Sequence, residues 1–211
     1  MTNLQIKTEP MLMTVDISSL MTLPQMSDEQ FYEFCHRNPN LRIERNANGE
    51  VTVMPPAFSD TGNRNNKIGY QLTRWTEERE NGEAFDSSAG FTLPNGAVRS
   101  PDASWVRLDR WNALTDEQQA SFAPICPDFV VELRFSTGEA SPTASDTLKS
   151  LQTKMQEYIE NGATLGLLID RQNRTVYCYR ADGSVAVLNQ PERVSCDPEL
   201  PGLTLQMAKI W

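Results

Sequence analysis

Asp102, Glu132, Arg134 and Lys154 are the side chains of this sequence whose types and spacing suit chemistry. Asp102 follows Pro101, whose ring fixes φ and holds the chain extended where a strand begins. Glu132 falls inside the apolar run Phe129-Val130-Val131-Glu132-Leu133, where a carboxylate is costly unless it is paired or bound to a cation. Arg134 comes two residues later, and the period-two geometry of a strand puts it on the same face as Glu132. An Asp, then Glu-x-basic on a neighbouring strand, is one way to build an oxygen-rich site for a hard divalent ion with a protein cation beside it. On these three residues alone a plain Glu132–Arg134 ion pair is an equally good reading.

Lys154 adds to the first reading. It lies three residues after Leu151 and four before Tyr158, at the border of the buried face of a helix. From there its amine reaches toward the end of the Glu132 strand. An arginine keeps its proton and so balances anionic charge but cannot act as a base, whereas a lysine can orient a water or deprotonate it. The competing reading of Lys154 is a side chain that snorkels to solvent.

These residues need elements to position them. Ser27-Asp28-Glu29-Gln30 is a capping box that opens a helix to about Arg37. Alternating residues over 41–44 and 51–54, joined by Asn46-Ala47-Asn48-Gly49, predict a hairpin ending at Pro55-Pro56. Ser59 or Asp60 starts a longer helix to about Glu80, with Ile68, Leu72 and Trp75 on its apolar face. Short apolar stretches over 84–106 predict a bent sheet with a hairpin. A strand over 128–134 precedes a Ser, Thr, Gly and Pro-rich loop at 135–144. Ser145 is placed to cap a helix that Gly162 stops at Asn161. A strand over 164–170 and a hairpin of 175–179 with 184–188 follow. Residues 1–26 have no period and read as an arm, with 27–211 forming one domain.

Composition narrows the classes. The 211 residues suit a single core, and a net charge of −9 argues against a passive polyanion coat or a membrane-surface binder. It leaves room for an enzyme that holds cations beside its own carboxylates. The four cysteines form no C-x-x-C pair, and His36 is the sole histidine, so a multi-histidine zinc site is excluded. Nothing around His36 supports a Cys–His dyad. No apolar run is long enough to span a membrane. The chain reads as cytoplasmic with free thiols.

Pro101-Asp102, Glu132-Leu133-Arg134, and the run Leu151-Gln152-x-Lys154-Met155-Gln156-Glu157-Tyr158 with Gly162 and the strand ending at Asp170 resemble the bacterial Uma-two family of endonucleases, within the PD-(D/E)XK superfamily. The likeness covers about residues 20–211. It implies an α/β, restriction endonuclease-like fold: a mixed central β-sheet flanked by helices, with an N-terminal helix and β-hairpin. It further implies that Asp102 and Glu132 bind Mg²⁺, with Mn²⁺ as a substitute, that Lys154 is the basic residue, and that Glu44 of the hairpin joins the metal site. A solvent-facing Glu44 is the plain alternative, because alternation alone does not choose its face. One departure is the segment Phe135-Ser136-Thr137-Gly138-Glu139-Ala140-Ser141-Pro142, where the family turns quickly into the helix through Ser-Pro-Ser.

The expected activity is hydrolysis of DNA by a homodimer, with Arg134 balancing charge beside Lys154. Arg64, Lys67 and Arg74 share a helix face that can meet phosphates, although a solvated face explains the same spacing. Trp105 and Trp111 flank Asp102 in sequence and suit either base stacking or core packing. A non-catalytic, dimeric regulatory module that keeps the nuclease fold is the alternative from another class.

Overall fold

A computed structural model describes residues 26–54, 56–134 and 147–211. All of the expected arm except Met26, and the expected loop at 135–144, lie outside the described residues. Helix α1 (Asp28–Arg37) opens on the Ser27 capping box, with Ser27 Oγ accepting from the Gln30 amide and Gln30 Oε1 accepting from that of Ser27. Strands β1 (Arg42–Arg45) and β2 (Val51–Met54) form the expected hairpin, in a register from Arg42 opposite Met54 to Arg45 opposite Val51. Gly49 takes φ of 83° in its turn, a region that glycine enters without strain. Helix α2 (Ser59–Arg79) buries Ile68, Leu72 and Trp75.

The chain continues through β3 (Gly82–Asp86), β4 (Phe91–Thr92), β5 (Val98–Arg99), β6 (Ala103–Arg107), the short helices α3 (Leu108–Trp111) and α4 (Asp116–Gln119), and β7 (Phe129–Arg134). Then come α5 (Leu148–Glu160), β8 (Leu165–Asp170), β9 (Thr175–Arg180), β10 (Val185–Asn189), β11 (Arg193–Ser195) and β12 (Thr204–Gln206). The central sheet has the order β10-β9-β8-β7-β6-β3. Its β7–β8 pair is parallel and its other pairs are antiparallel. Parallel neighbours need a crossover, and α5 occupies that connection.

Strand alternation sorts the two faces of this sheet. Phe129, Val131 and Leu133 pack with Ile68, Leu72 and Trp75 of α2. Val130 packs on the opposite face with Leu151, Met155 and Tyr158 of α5. Glu132 and Arg134 therefore share the α5 face. Helix α5 approaches closely because Gly166 of β8 has no side chain; a Cβ there would meet Met155 Cε at 2.3 Å. That seating brings Lys154, next to Met155, down to the end of β7.

A smaller sheet of order β2-β1-β5-β4 lies against α1 through Phe31, Ile43, Val51 and Val98. Since Ile43 faces α1, Arg42 and Glu44 face the other way.

The cap of α5 differs from the expectation, and one strand pair is not foreseen by it. Helix α5 is capped by Thr147, whose side chain accepts from the Ser150 amide at 3.1 Å; Ser145, the expected cap, lies outside the described residues. The antiparallel β11–β12 pair near the C-terminus has strands too short for the alternation to announce. Among the described residues no helix is long and apolar enough to cross a membrane.

Candidate functional site

Asp102 lies one residue before β6, beyond the last β6–β7 pair, Ala103 opposite Val131. Its side chain continues the ladder where the backbone stops: Oδ2 accepts from the Leu133 amide at 2.8 Å. Oδ1 accepts from Asn65 of α2 at 3.0 Å and from Arg42 at 3.2 Å. Asp102 is thereby fixed next to Glu132 from three directions.

Glu132 is 3% exposed and looks onto α5. Its Oε1 lies 2.8 Å from Lys154 Nζ and accepts from the Tyr158 hydroxyl at 3.0 Å. Its Oε2 accepts no hydrogen bond from the described residues. Lys154 is 12% exposed and also lies 2.8 Å from Glu44 Oε1, so it joins two carboxylates and does not snorkel. Glu44 is held further by the Ser100 amide at 3.0 Å and by Arg99 at 3.3 Å, while Arg99 binds Glu157 at 2.7 Å. A cavity of about 370 Å³ opens beside these groups.

Among its described residues the pocket has one carboxylate more than it has cations. Glu44, Asp102, Glu132 and Glu157 line it with Arg42, Arg99 and Lys154. The imbalance appears at Glu132, where burial, aided by Asp102 and Glu44, pushes the carboxyl up to about 7 in spite of Lys154. Burial would also raise Glu44, but Lys154 and Arg99 outweigh it and hold that carboxyl down at about 2. Burial pulls the Lys154 amine down, and Glu132 and Glu44 more than offset this, so its affinity for a proton is raised. Lys154 is thus a fixed positive charge at neutral pH and not a base.

The expected residues meet different fates. Asp102, Glu132, Lys154 and Glu44 come together, and Glu44 is buried, not solvent-facing. Arg134 shares the face of Glu132 but binds Asp170 at 2.8 Å, so the simple Glu132–Arg134 pair is not formed. Arg64 pairs with Asp60 and Arg74 with Glu78, each on its own helix turn, which offsets their charge toward a polyanion. Lys67 lies near Asp60. Trp105 is core, edge-on to Trp75 at 5.5 Å, and Trp111 packs on Phe85 at 5.0 Å. Burial pushes the Cys35 thiol up to about 11, which removes the Cys–His dyad as a nucleophile. Arg42, Asn65, Arg99 and Tyr158 complete the site, and the sequence reading misses them as site residues. Tyr158 alone left a signal, its helical spacing from Lys154.

The donor set fits a hard divalent cation. Mg²⁺ is commonly held by one or two carboxylates, with waters and substrate phosphate filling the remaining positions. Asp102 and Glu132 Oε2, which has no donor among the described residues, supply such a pair, and a cation there would correct the charge imbalance. Among the described residues no three Asp, Glu, His or Cys side chains form a ready cage. Glu44 is paired with two cations, Lys154 and Arg99, and its place is behind them.

A family model described as "Uma2: Putative restriction endonuclease" matches residues 28–208. Among solved structures, the chain is similar to one described as a putative nuclease belonging to DUF820 from Anabaena variabilis, at 17% identity and a TM-score of 0.63. That likeness covers 80% of this chain and 88% of the other. No curated protein matches.

Proposed function

This chain belongs to the Uma2 family, and from that premise and the geometry around Glu132 we propose that it is a Mg²⁺-dependent endonuclease that hydrolyses phosphodiester bonds in DNA. Family membership supports a nuclease. The observation that carries the metal is the surplus carboxylate: Glu132, buried beside Asp102, has one oxygen with no donor among the described residues, and a proton affinity lifted by burial and further by its anionic neighbours.

Asp102 and Glu132 would hold the ion, with Mn²⁺ as a substitute. When bound, it would lower the pKa of a water and polarise a phosphoryl oxygen. Lys154 keeps its proton on Nζ and offers a fixed positive charge to the oxygens of the phosphate, where charge grows in the transition state. Glu44 and Tyr158 fix the amine and Glu132 in place, so little reorganisation accompanies the reaction. Arg42 and Asn65 orient Asp102. Arg134, bound to Asp170, balances charge at the mouth only if it leaves that partner.

Thermal melting with Mg²⁺ or Mn²⁺ tests the metal site, because a ligand that binds the native state raises Tm by mass action. The rise is expected to vanish in Asp102→Ala and to be larger at pH 8 than at pH 6, since Glu132 must lose its proton to bind. If neither ion shifts Tm at either pH, the reading fails and a non-catalytic module on the same fold replaces it.

A further inference from the structure

A second cavity, of about 660 Å³, lies beside the carboxylate pocket, and Arg42 lines both. Several of the residues that line it are aromatic. Tyr32 of α1 is 51% exposed and lies stacked with His36, ring centres 6.3 Å apart and planes within 8°. Phe122 stands edge-on to Tyr32 at 6.2 Å, and Trp111 and Phe85 also line the cavity. Among the described residues no Asp or Glu lines it, although the chain carries a net charge of −9. An exposed aromatic platform in a groove with no carboxylate among its described lining residues, with the Asp102-paired Arg42 where the groove meets the carboxylate pocket, suits stacked bases.

We propose that this groove binds unpaired nucleotides of the substrate strand, stacking their bases on Tyr32 and Trp111, and that the protein selects single-stranded or frayed nucleic acid over continuous duplex. Bases in a duplex are covered on both faces by their neighbours, so a stacking platform has purchase only on unpaired ones. A cavity of this size falls in the range that takes a small ligand or a short run of nucleotides. The strand would pass over Arg42, whose guanidinium binds both Asp102 and the Ser100 carbonyl and so marks the step from groove to reacting phosphate. This assignment of substrate class rests on the nuclease reading above.

The test is fluorescence anisotropy of a labelled single-stranded oligonucleotide and of the same sequence as duplex, in EDTA, with the parental protein and Tyr32→Ala. Tyr32 is exposed enough that its removal should leave the fold intact. The single strand should bind at least about tenfold tighter than duplex. Tyr32→Ala should lose about tenfold on the single strand, the scale of one stacked base, and nothing on duplex. Quenching of tryptophan fluorescence that is lost in Trp111→Phe would place the bases at the groove. Equal affinity for the two forms, or an unchanged Tyr32→Ala affinity, overturns the proposal. Single-strand binding without any cleavage supports the groove and overturns the nuclease reading, whereas cleavage without strand preference overturns the groove alone.

Discussion

Lys154 Nζ and Glu132 Oε1 meet at 2.8 Å on the buried face between α5 and β7. The contact depends on the close approach of α5 that Gly166 permits. Because Lys154 also holds Glu44, one amine bridges two buried carboxylates at the floor of a cavity.

Lys154→Met therefore has two effects. It leaves Glu44 and Glu132 without their shared cation, and removing one partner of a buried pair costs about 3 to 5 kcal/mol. Urea melts at pH 7.5 should show a loss of that order, recovered in part at pH 5.5, where Glu132 takes a proton. In protein that remains folded, cleavage should fall by about two orders of magnitude or more, the scale of losing one charge-stabilising group. A melt unchanged by Lys154→Met would contradict the bridge.

Glu132 makes stability fall as pH rises. The native carboxyl holds its proton up to about 7, against an ordinary 4.5, so between those values the folded state binds more protons than the unfolded chain. In EDTA the protein should lose up to about 3 kcal/mol across that window. Glu132→Gln should remove this slope and be level with or more stable than the parent at pH 7.5. Glu44 acts in the opposite sense: its lowered carboxyl contributes stability above 4.5 that is lost as pH falls toward 2. Denaturant midpoints of parent and Glu132→Gln at pH 5, 6, 7 and 8 check the sign.

Sequence patterns gave the skeleton because its signals are local. The Ser27 box, the alternation through β1 and β2, the Ile68, Leu72 and Trp75 spacing, and the apolar β7 and β8 each follow from neighbours in the chain. Lys154 was legible for the same reason, since its offsets from Leu151 and Tyr158 fix its angle on α5. Arg42, Asn65 and Arg99 were not, because their roles come from contacts between distant elements. Arg42 joins β1 to Asp102, and Asn65 joins α2 to the same carboxylate. Strand period placed Arg134 beside Glu132, but the parallel β7–β8 register set it opposite Asp170, whose charge takes it.

Tyr158→Phe deletes one hydroxyl and little volume. The Glu132 oxygen loses one donor, so stability should fall by about 1 to 2 kcal/mol. Glu132 should then hold its proton to higher pH, shifting the pH midpoint of Mg²⁺ binding upward. Calorimetric Mg²⁺ titrations from pH 6 to 8 measure that shift.

Arg134→Met should not rescue any defect of Glu132→Gln. Its partner Asp170 keeps the Asn173 side chain at 2.8 Å and the Gln172 amide at 3.1 Å, so the loss should be about 2 to 3 kcal/mol and additive with the Glu132 change. Coupling above about 0.5 kcal/mol in the double mutant would mean that Arg134 serves Glu132 after all.

The central claim, that this pocket cuts nucleic acid with a divalent ion, is tested most directly by incubating purified protein with single-stranded, duplex and branched DNA in Mg²⁺, in Mn²⁺ and in EDTA. Asp102→Ala and Glu132→Gln prepared identically serve as controls. Cleavage that requires the ion and is lost in both variants is the predicted result. No cleavage of any substrate, or cleavage that persists in Asp102→Ala and Glu132→Gln, would contradict it.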